Sequence, residues 1–144
     1  MVEQDTVRLL RECDAGIEMG LSSINDVLDN VRADDFKNYL KESRSGHEKL
    51  KEEIEKLLND YHDDGKDPNP MAKGMSWIKT NIKLAVNESD ATVADLITEG
   101  CNMGVKSLSK YLNQYKAADE KSKDIAKRLI NLEEELAVSI RRFL

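Results

Sequence analysis

The sequence predicts an all-α fold, a single four-helix bundle in which a long crossover joins the second helix to the third. Charged residues make up 35% of the 144 residues and aromatic residues only 5%, a balance typical of solvated helices rather than of β-sandwiches. Apolar residues recur at alternating spacings of four and three, which is the pattern of a helical core seam. The stretches with this pattern have nearly equal lengths, as helices covering one common core require.

Four long helices are predicted, at residues 5–31, 34–61, 90–115 and 119–143. The connections after the first and the third helix are short, so each should join an antiparallel pair of helices. Asp34, Asp90 and Asp119 are expected N-caps, because a carboxylate can accept the unpaired N–H groups of a first helical turn. We therefore expect residues 1–144 to form one domain, whose length is sufficient for a packed core.

The crossover comprises residues 62–89 and begins with a segment rich in Asp, Gly and Pro. Met71, Met75 and Ile78 then share one helical face, which predicts a short fifth helix at about 71–86. A connection of this length can run the full height of the bundle and leave the second and third helices parallel. Trp77 is expected either to anchor this short helix on the bundle or to form a possible interface with another subunit.

Inward positions of the second and fourth helices differ in polarity. The seam of the second helix includes Ser43 and His47 near its midpoint. The seam of the fourth helix passes through Leu129, Leu132 and Leu136 and predicts a wholly apolar contribution to the core. The run of three glutamates at residues 133–135 should then lie on the solvated face.

An internal repeat relates the first helix to the third. A shift of 84 positions aligns two pairs of interior glycines and several seam residues, whereas the second and fourth helices align poorly at that shift. The repeat indicates a duplicated helical hairpin. Because each interior glycine weakens a helix by about 1 kcal/mol, we expect a close approach of the first and third helices to require them, with a ligand cavity as the alternative. The aligned glycines are Gly16 and Gly20 in the first helix and Gly100 and Gly104 in the third.

The runs ECDAGIEMG at residues 12–20 and ITEGCNMGVKSLSKYL at residues 97–112, with Gly74 and Trp77 between them, resemble uncharacterised bacterial ferritin-like four-helix-bundle proteins. The resemblance covers most of the chain and implies a ferritin-like bundle with one long crossover. In better-studied ferritin-like relatives, two helices each supply a Glu and two each supply a Glu-x-x-His motif, which together hold two metal ions. That ligand set is what the resemblance implies here.

The required metal ligands are largely missing. Arg44 stands three residues before His47, where the metal motif has Glu, and no histidine follows His62. We therefore expect no metal and no cofactor, and describe the metal site as degenerate. At most, a speculative half-site for a single iron, manganese or zinc ion remains. Its candidate ligands are Asp14, Glu18, His47 and Glu99.

Two interpretations of this mid-bundle group remain open. An antiparallel pairing of the first two helices about residue 32 would place His47 level with Glu18 and within one turn of Asp14. The favoured interpretation is a hydrogen-bonded core histidine that fixes helix register. The alternative is a single-metal or small-ligand site.

Charge and hydropathy narrow the expected environment and partners. The net charge of −6 and the pI near 5.0 argue against binding to nucleic acid or to anionic membranes. Neither an apolar run of membrane-spanning length nor a signal-peptide pattern is present in the sequence. Cys13 and Cys101 fit reduced thiols within helices, so a cytoplasmic location is expected.

The sequence therefore predicts a non-enzymatic ferritin-like bundle that lacks a two-metal site, has no catalytic residues and acts as an interaction or structural protein. A protein partner or self-association is expected. The alternative function is a metal- or small-ligand-binding protein for storage, sensing or stress protection, which would use the Asp/Glu/His group.

Overall fold

A computed structural model describes residues 3–61 and 89–144, which form four α-helices and one short 3-10 helix. The helices are α1 (Gln4–Leu28), α2 (Asp34–Asp60), α3 (Asp90–Gln114) and α4 (Glu120–Ser139), and the 3-10 helix is Arg141–Phe143. Within these ranges the predicted all-helical class is confirmed. The predicted fifth helix at 71–86 and Trp77 lie outside the described residues.

Two helices end earlier than the sequence predicts. α1 ends at Leu28 rather than at residue 31, yet Val31 is buried in the connection that follows. α4 ends at Ser139, and the chain then turns so that the ring of Phe143 stacks on Phe36 with 4.7 Å between centroids. Apolar residues beyond both helix ends thus pack on the core from outside the α-helices, Val31 from the connection to α2 and Phe143 from the 3-10 helix.

The N-caps match the prediction at one of three positions. Asp119 caps α4, and its Oδ1 accepts the backbone N–H of Ser122 at 2.8 Å. Ser89 caps α3 in place of Asp90, and Ala33 precedes α2 in place of Asp34. Alanine has no side-chain acceptor, so α2 begins without a side-chain cap, and Asp90 binds the two backbone N–H groups just before the helix.

Hydrogen bonds between helix ends fix the direction of each helix. The carboxylate of Asp90, in the first turn of α3, accepts the N–H groups of Arg32 and Ala33 at 2.8 and 2.9 Å. α2 and α3 therefore begin at the same end of the bundle. At the other end, Oγ1 of Thr6 in α1 accepts the N–H of Asp119 at 2.8 Å, so α1 and α4 begin together. α2 and α3 consequently run in the same direction.

The core consists of two apolar clusters with a polar layer between them. One cluster surrounds Phe36 and Leu40, and the other surrounds Ile54 and Leu129. Along α2, the residues between the clusters are Ser43 and His47, and along α4 the corresponding residue is Glu133. All three are buried. This polar layer is the candidate functional site.

Candidate functional site

Both ring nitrogens of His47 have protein partners. Nδ1 lies 2.7 Å from the carbonyl oxygen of Ser43, one turn earlier in α2, and Nε2 lies 2.7 Å from Oε1 of Glu133 in α4. A carbonyl oxygen can only accept a hydrogen bond, so Nδ1 carries a proton and donates it to Ser43. His47 is 1% exposed and Glu133 is 8% exposed, which places the whole contact inside the bundle.

The geometry also determines how many protons the pair holds. Since Nδ1 is protonated, the contact between Nε2 and Oε1 needs a second proton, carried by either the imidazole or the carboxyl group. Burial on its own lowers the pKa of His47, but the hydrogen bond and charge of Glu133 and the Ser43 carbonyl outweigh it and raise that pKa above its ordinary value. The pair is therefore neutral overall and is held as imidazolium and carboxylate to higher pH than an exposed histidine would allow.

The other two helices close the layer. Cys101 in α3 is buried beside Glu133, and burial together with this carboxylate raises the pKa of the thiol. On α1, Gly20 faces the imidazole so closely that an added Cβ would lie 2.7 Å from Nε2 and 2.9 Å from Cδ2 of His47. A glycine is therefore required at this position for the ring to fit. Each of the four helices therefore contributes to the closed layer, and α2 contributes both Ser43 and His47.

The interior glycines do not serve the predicted close approach of the first and third helices. A Cβ on Gly20 would meet His47 of α2, and Cβ atoms on Gly16 and Gly104 would meet Leu129 and Glu133 of α4 at 3.8 and 3.6 Å. That prediction is wrong, because these α1 and α3 glycines adjoin side chains of α2 and α4. Among these three glycines, only Gly20 has too little space for a methyl group.

Glu18 lies with Lys51 rather than with His47. Its Oε1 is 2.6 Å from Nζ of Lys51, and both side chains are partly exposed. Lys51 is four residues beyond His47, so α1 and α2 pair about one helical turn out of the expected register. On α1, Gly20 faces the imidazole instead.

The remaining members of the predicted half-site are Asp14 and Glu99. Asp14 is half-buried and acts electrostatically on Cys13 and Lys51, and Glu99 is exposed. The two nitrogens of His47 bond instead to Ser43 and Glu133. Within residues 3–61 and 89–144, no three His, Cys, Asp or Glu side chains are grouped as a metal ion would require.

Glu133 is the functional residue that the sequence pattern misplaced. It was expected on the solvated face with Leu132 inward, but Glu133 is buried and Leu132 is only half-buried. The buried Ser122 and Glu133 also show that α4 does not present a wholly apolar core. From Leu129 to Leu136, steps of four and three residues pass through Glu133, and steps of three and four pass through Leu132. Both orders fit the helical pattern, so Leu132 was assigned to the core only because it is apolar. A shift of 86 positions, which aligns the buried residues of α2 with those of α4, would have identified Glu133.

A small groove lies beside the layer, between α2 and α4. Its volume is about 70 Å³, and Tyr39, Ser43, Leu132 and Leu136 contribute to its lining. Pockets for small organic ligands usually measure about 300 Å³ or more. This groove is too small for such a ligand.

Comparison of the chain with protein-family models, with curated proteins and with solved structures finds no match. The ferritin-like resemblance stays a prediction. In the part of the chain that the structure describes, no helix is both long enough and apolar enough to cross a membrane.

Proposed function

We propose that this protein is a non-enzymatic helical bundle with an interaction or structural role, and that its polar layer positions helices instead of binding a metal or cofactor. One observation carries the proposal: the His47 and Glu133 side chains are bonded to each other inside the core. Metal binding needs the lone pair of a neutral imidazole nitrogen. Here Nδ1 carries a proton toward Ser43 and Nε2 is bonded to Glu133.

The same groups are poorly suited to acid–base or thiol catalysis. A general acid or base must reach its substrate within hydrogen-bonding distance, whereas His47 is 1% exposed and covered by Gly20. A reactive thiol needs a lowered pKa. Burial instead raises the pKa of the Cys13 thiol to about 12 and also raises that of Cys101. These properties support a role in which the layer is never exposed to a substrate.

We further propose that the fold is a ferritin-like bundle that binds a protein partner or another copy of itself. The parallel direction of α2 and α3 supports the first part, because a single long crossover is typical of ferritin-like bundles. For the second part, Met103 on α3 and Val138 on α4 are exposed apolar side chains that a partner could cover.

Elemental analysis tests this function. Protein purified without a chelator or histidine tag would be offered ferrous iron, manganese and zinc, desalted and analysed beside His47→Ala and Lys51→Ala. Lys51→Ala is a matched control, since it alters the partner of Glu18 outside the polar layer. We expect no stoichiometric metal in the unmodified protein. Stoichiometric metal that is kept in Lys51→Ala and lost in His47→Ala would overturn the proposal.

A further inference from the structure

The structure extends the internal repeat from one helix to a whole hairpin. We call α1 and α2 the first hairpin, and α3 and α4 the second hairpin. A shift of 84 aligns buried residues of α1 with buried residues of α3, and a shift of 86 does the same for α2 and α4. The α2 and α4 pairs are Phe36/Ser122, Leu40/Ala126, Ser43/Leu129, His47/Glu133, Leu50/Leu136 and Ile54/Ile140.

Hydrogen bonds between the two hairpins follow the same repeat. Thr6 of α1 accepts the N–H of Asp119, the residue before α4. Asp90, which the shift of 84 aligns with Thr6, accepts the N–H of Ala33, the residue before α2. Ala33 and Asp119 are in turn related by the shift of 86. Each hairpin therefore gives the other an equivalent contact, as two halves related by an approximate two-fold axis do.

Such a repeat raises the question of which hairpins associate with each other. If the two hairpins carry equivalent apolar surfaces, a first hairpin could pack against the first hairpin of a second copy as well as against its own second hairpin. The connecting residues 62–88 would span about 90 Å if fully extended, at about 3.3 Å per residue, so their length alone does not restrict the choice. Some feature of the buried surface has to distinguish the two hairpins.

The pairs Phe36/Ser122 and Ser43/Leu129 differ in size and polarity, but among the aligned pairs only His47 and Glu133 can carry opposite charges. Self-pairing would place His47 against His47, or Glu133 against Glu133. With Nδ1 of each histidine bonded to a backbone carbonyl, a hydrogen bond between two such rings needs one more proton and leaves a net positive charge in the core. Two glutamates sharing one proton leave a net negative charge. Only the unlike pair forms the hydrogen bond and remains neutral.

We propose that His47 and Glu133 form a pairing code, which restricts association to a first hairpin with a second hairpin, within one chain or between two copies. Buried polar residues set partner choice in coiled coils by the same physics, since mismatched partners leave charges unpaired. The code assigns this chain a self-interaction surface of defined specificity. It also gives a reason for an ion pair between the two apolar clusters of the core.

Unfolding of full-length variants tests the code. His47→Glu creates a Glu/Glu pair and Glu133→His creates a His/His pair, and each should reduce the folding equilibrium constant by roughly a hundredfold or more. Combining the two substitutions restores an unlike pair in exchanged positions and should recover much of that loss. Recovery should be incomplete, because Ile17 occupies on α1 the position equivalent to Cys101 and offers no thiol to the carboxylate introduced at position 47. Strictly additive losses in the combined variant would overturn the proposal.

Mixing tests specificity between copies. The His47→Glu and Glu133→His chains, one of them ¹⁵N-labelled, would be refolded together from denaturant and examined by native mass spectrometry. If the two chains exchange hairpins, each of the two resulting bundles contains one His and one Glu at the paired positions. We therefore expect a larger fraction of dimer in the mixture than in either variant refolded alone. Labelled and unlabelled unmodified chains, refolded together, provide the control. Equal dimer fractions in the mixture and in the separate variants would overturn the proposal.

Discussion

Nε2 of His47 on α2 and Oε1 of Glu133 on α4 lie 2.7 Å apart, at the level where the two apolar clusters of the core meet. The second imidazole nitrogen is bonded to the Ser43 carbonyl, so the pair has no ring nitrogen left for a ligand. Replacing a buried ion pair by apolar residues is often neutral or stabilising, so its presence points to alignment of helices rather than to added stability.

The crowding at Gly20 predicts opposite effects for two glycine substitutions on α1. Alanine normally stabilises a helix interior by about 1 kcal/mol relative to glycine. At Gly20 the added methyl group would lie 2.7 Å from a ring that Ser43 and Glu133 hold in place, so we expect Gly20→Ala to destabilise the fold by about 1–2 kcal/mol in total. Gly16→Ala, with 3.8 Å to Leu129, should be neutral or stabilising. Chemical denaturation measures both, and equal stabilisation by the two would contradict the described geometry.

The charge of Glu133 predicts a pH-dependent contribution to stability. Because folding raises the pKa of His47, the proton on His47 adds to the free energy of unfolding. This contribution is fully present below the ordinary pKa near 6.5 and is lost as pH rises through the raised pKa. Glu133→Gln removes the carboxylate charge that raises the pKa of His47, so burial, which lowers that pKa, should dominate. We expect the difference in unfolding free energy between the two proteins to shrink as pH rises from the ordinary value near 6.5 through the raised pKa of His47.

NMR titration of the His47 ring measures the same effect directly. The unmodified protein should titrate above the ordinary pKa of histidine, and Glu133→Gln should titrate below it. His62 is the other histidine of the chain, and a His62→Gln variant assigns the two signals. An identical His47 titration in both proteins would show that Glu133 does not govern its protonation.

The contacts of Asp90 predict a measurable role in holding the two hairpins together. Its carboxylate accepts two backbone N–H groups ahead of α2, where Ala33 offers no cap of its own. We expect Asp90→Ala to lower the unfolding free energy by about 1–2 kcal/mol. Asp124→Ala is a suitable control, because it removes only an exposed pair with Arg128 one turn away and should cost less than about 0.5 kcal/mol. Similar losses from both substitutions would contradict this assignment.

Burial of the two thiols predicts slow modification of the native protein. The pKa of Cys13 is raised to about 12 and that of Cys101 is also raised, so almost no thiolate exists near neutral pH. We expect thiol reagents to modify both cysteines only as fast as the bundle unfolds, and rapidly in denaturant. A fast native reaction confined to Cys101 would show that the polar layer opens on its own.

Much of the architecture could be predicted from the sequence, because apolar periodicity reports burial directly. The six buried positions of α2 from Phe36 to Ile54 all lie on the predicted seam, including Ser43 and His47. The pattern could not identify Glu133, since a carboxylate is buried only when a partner compensates it, and that partner lies on another helix. The register of α1 against α2 was also inaccurate, because it depends on the path of the residues between the helices. Because of these two errors, the sequence-based prediction placed His47 beside Glu18, whereas its partner is Glu133.

The most direct test of a structural role for the pair is the unfolding free energy of His47→Leu, Glu133→Leu and the double variant. Each single substitution leaves a buried polar group without its partner and should cost about 3–5 kcal/mol. The double variant joins the two apolar clusters and should be as stable as the unmodified protein, or more stable by about 1–4 kcal/mol. A double variant that loses as much as the two single variants combined would show that His47 and Glu133 act separately, which contradicts the account.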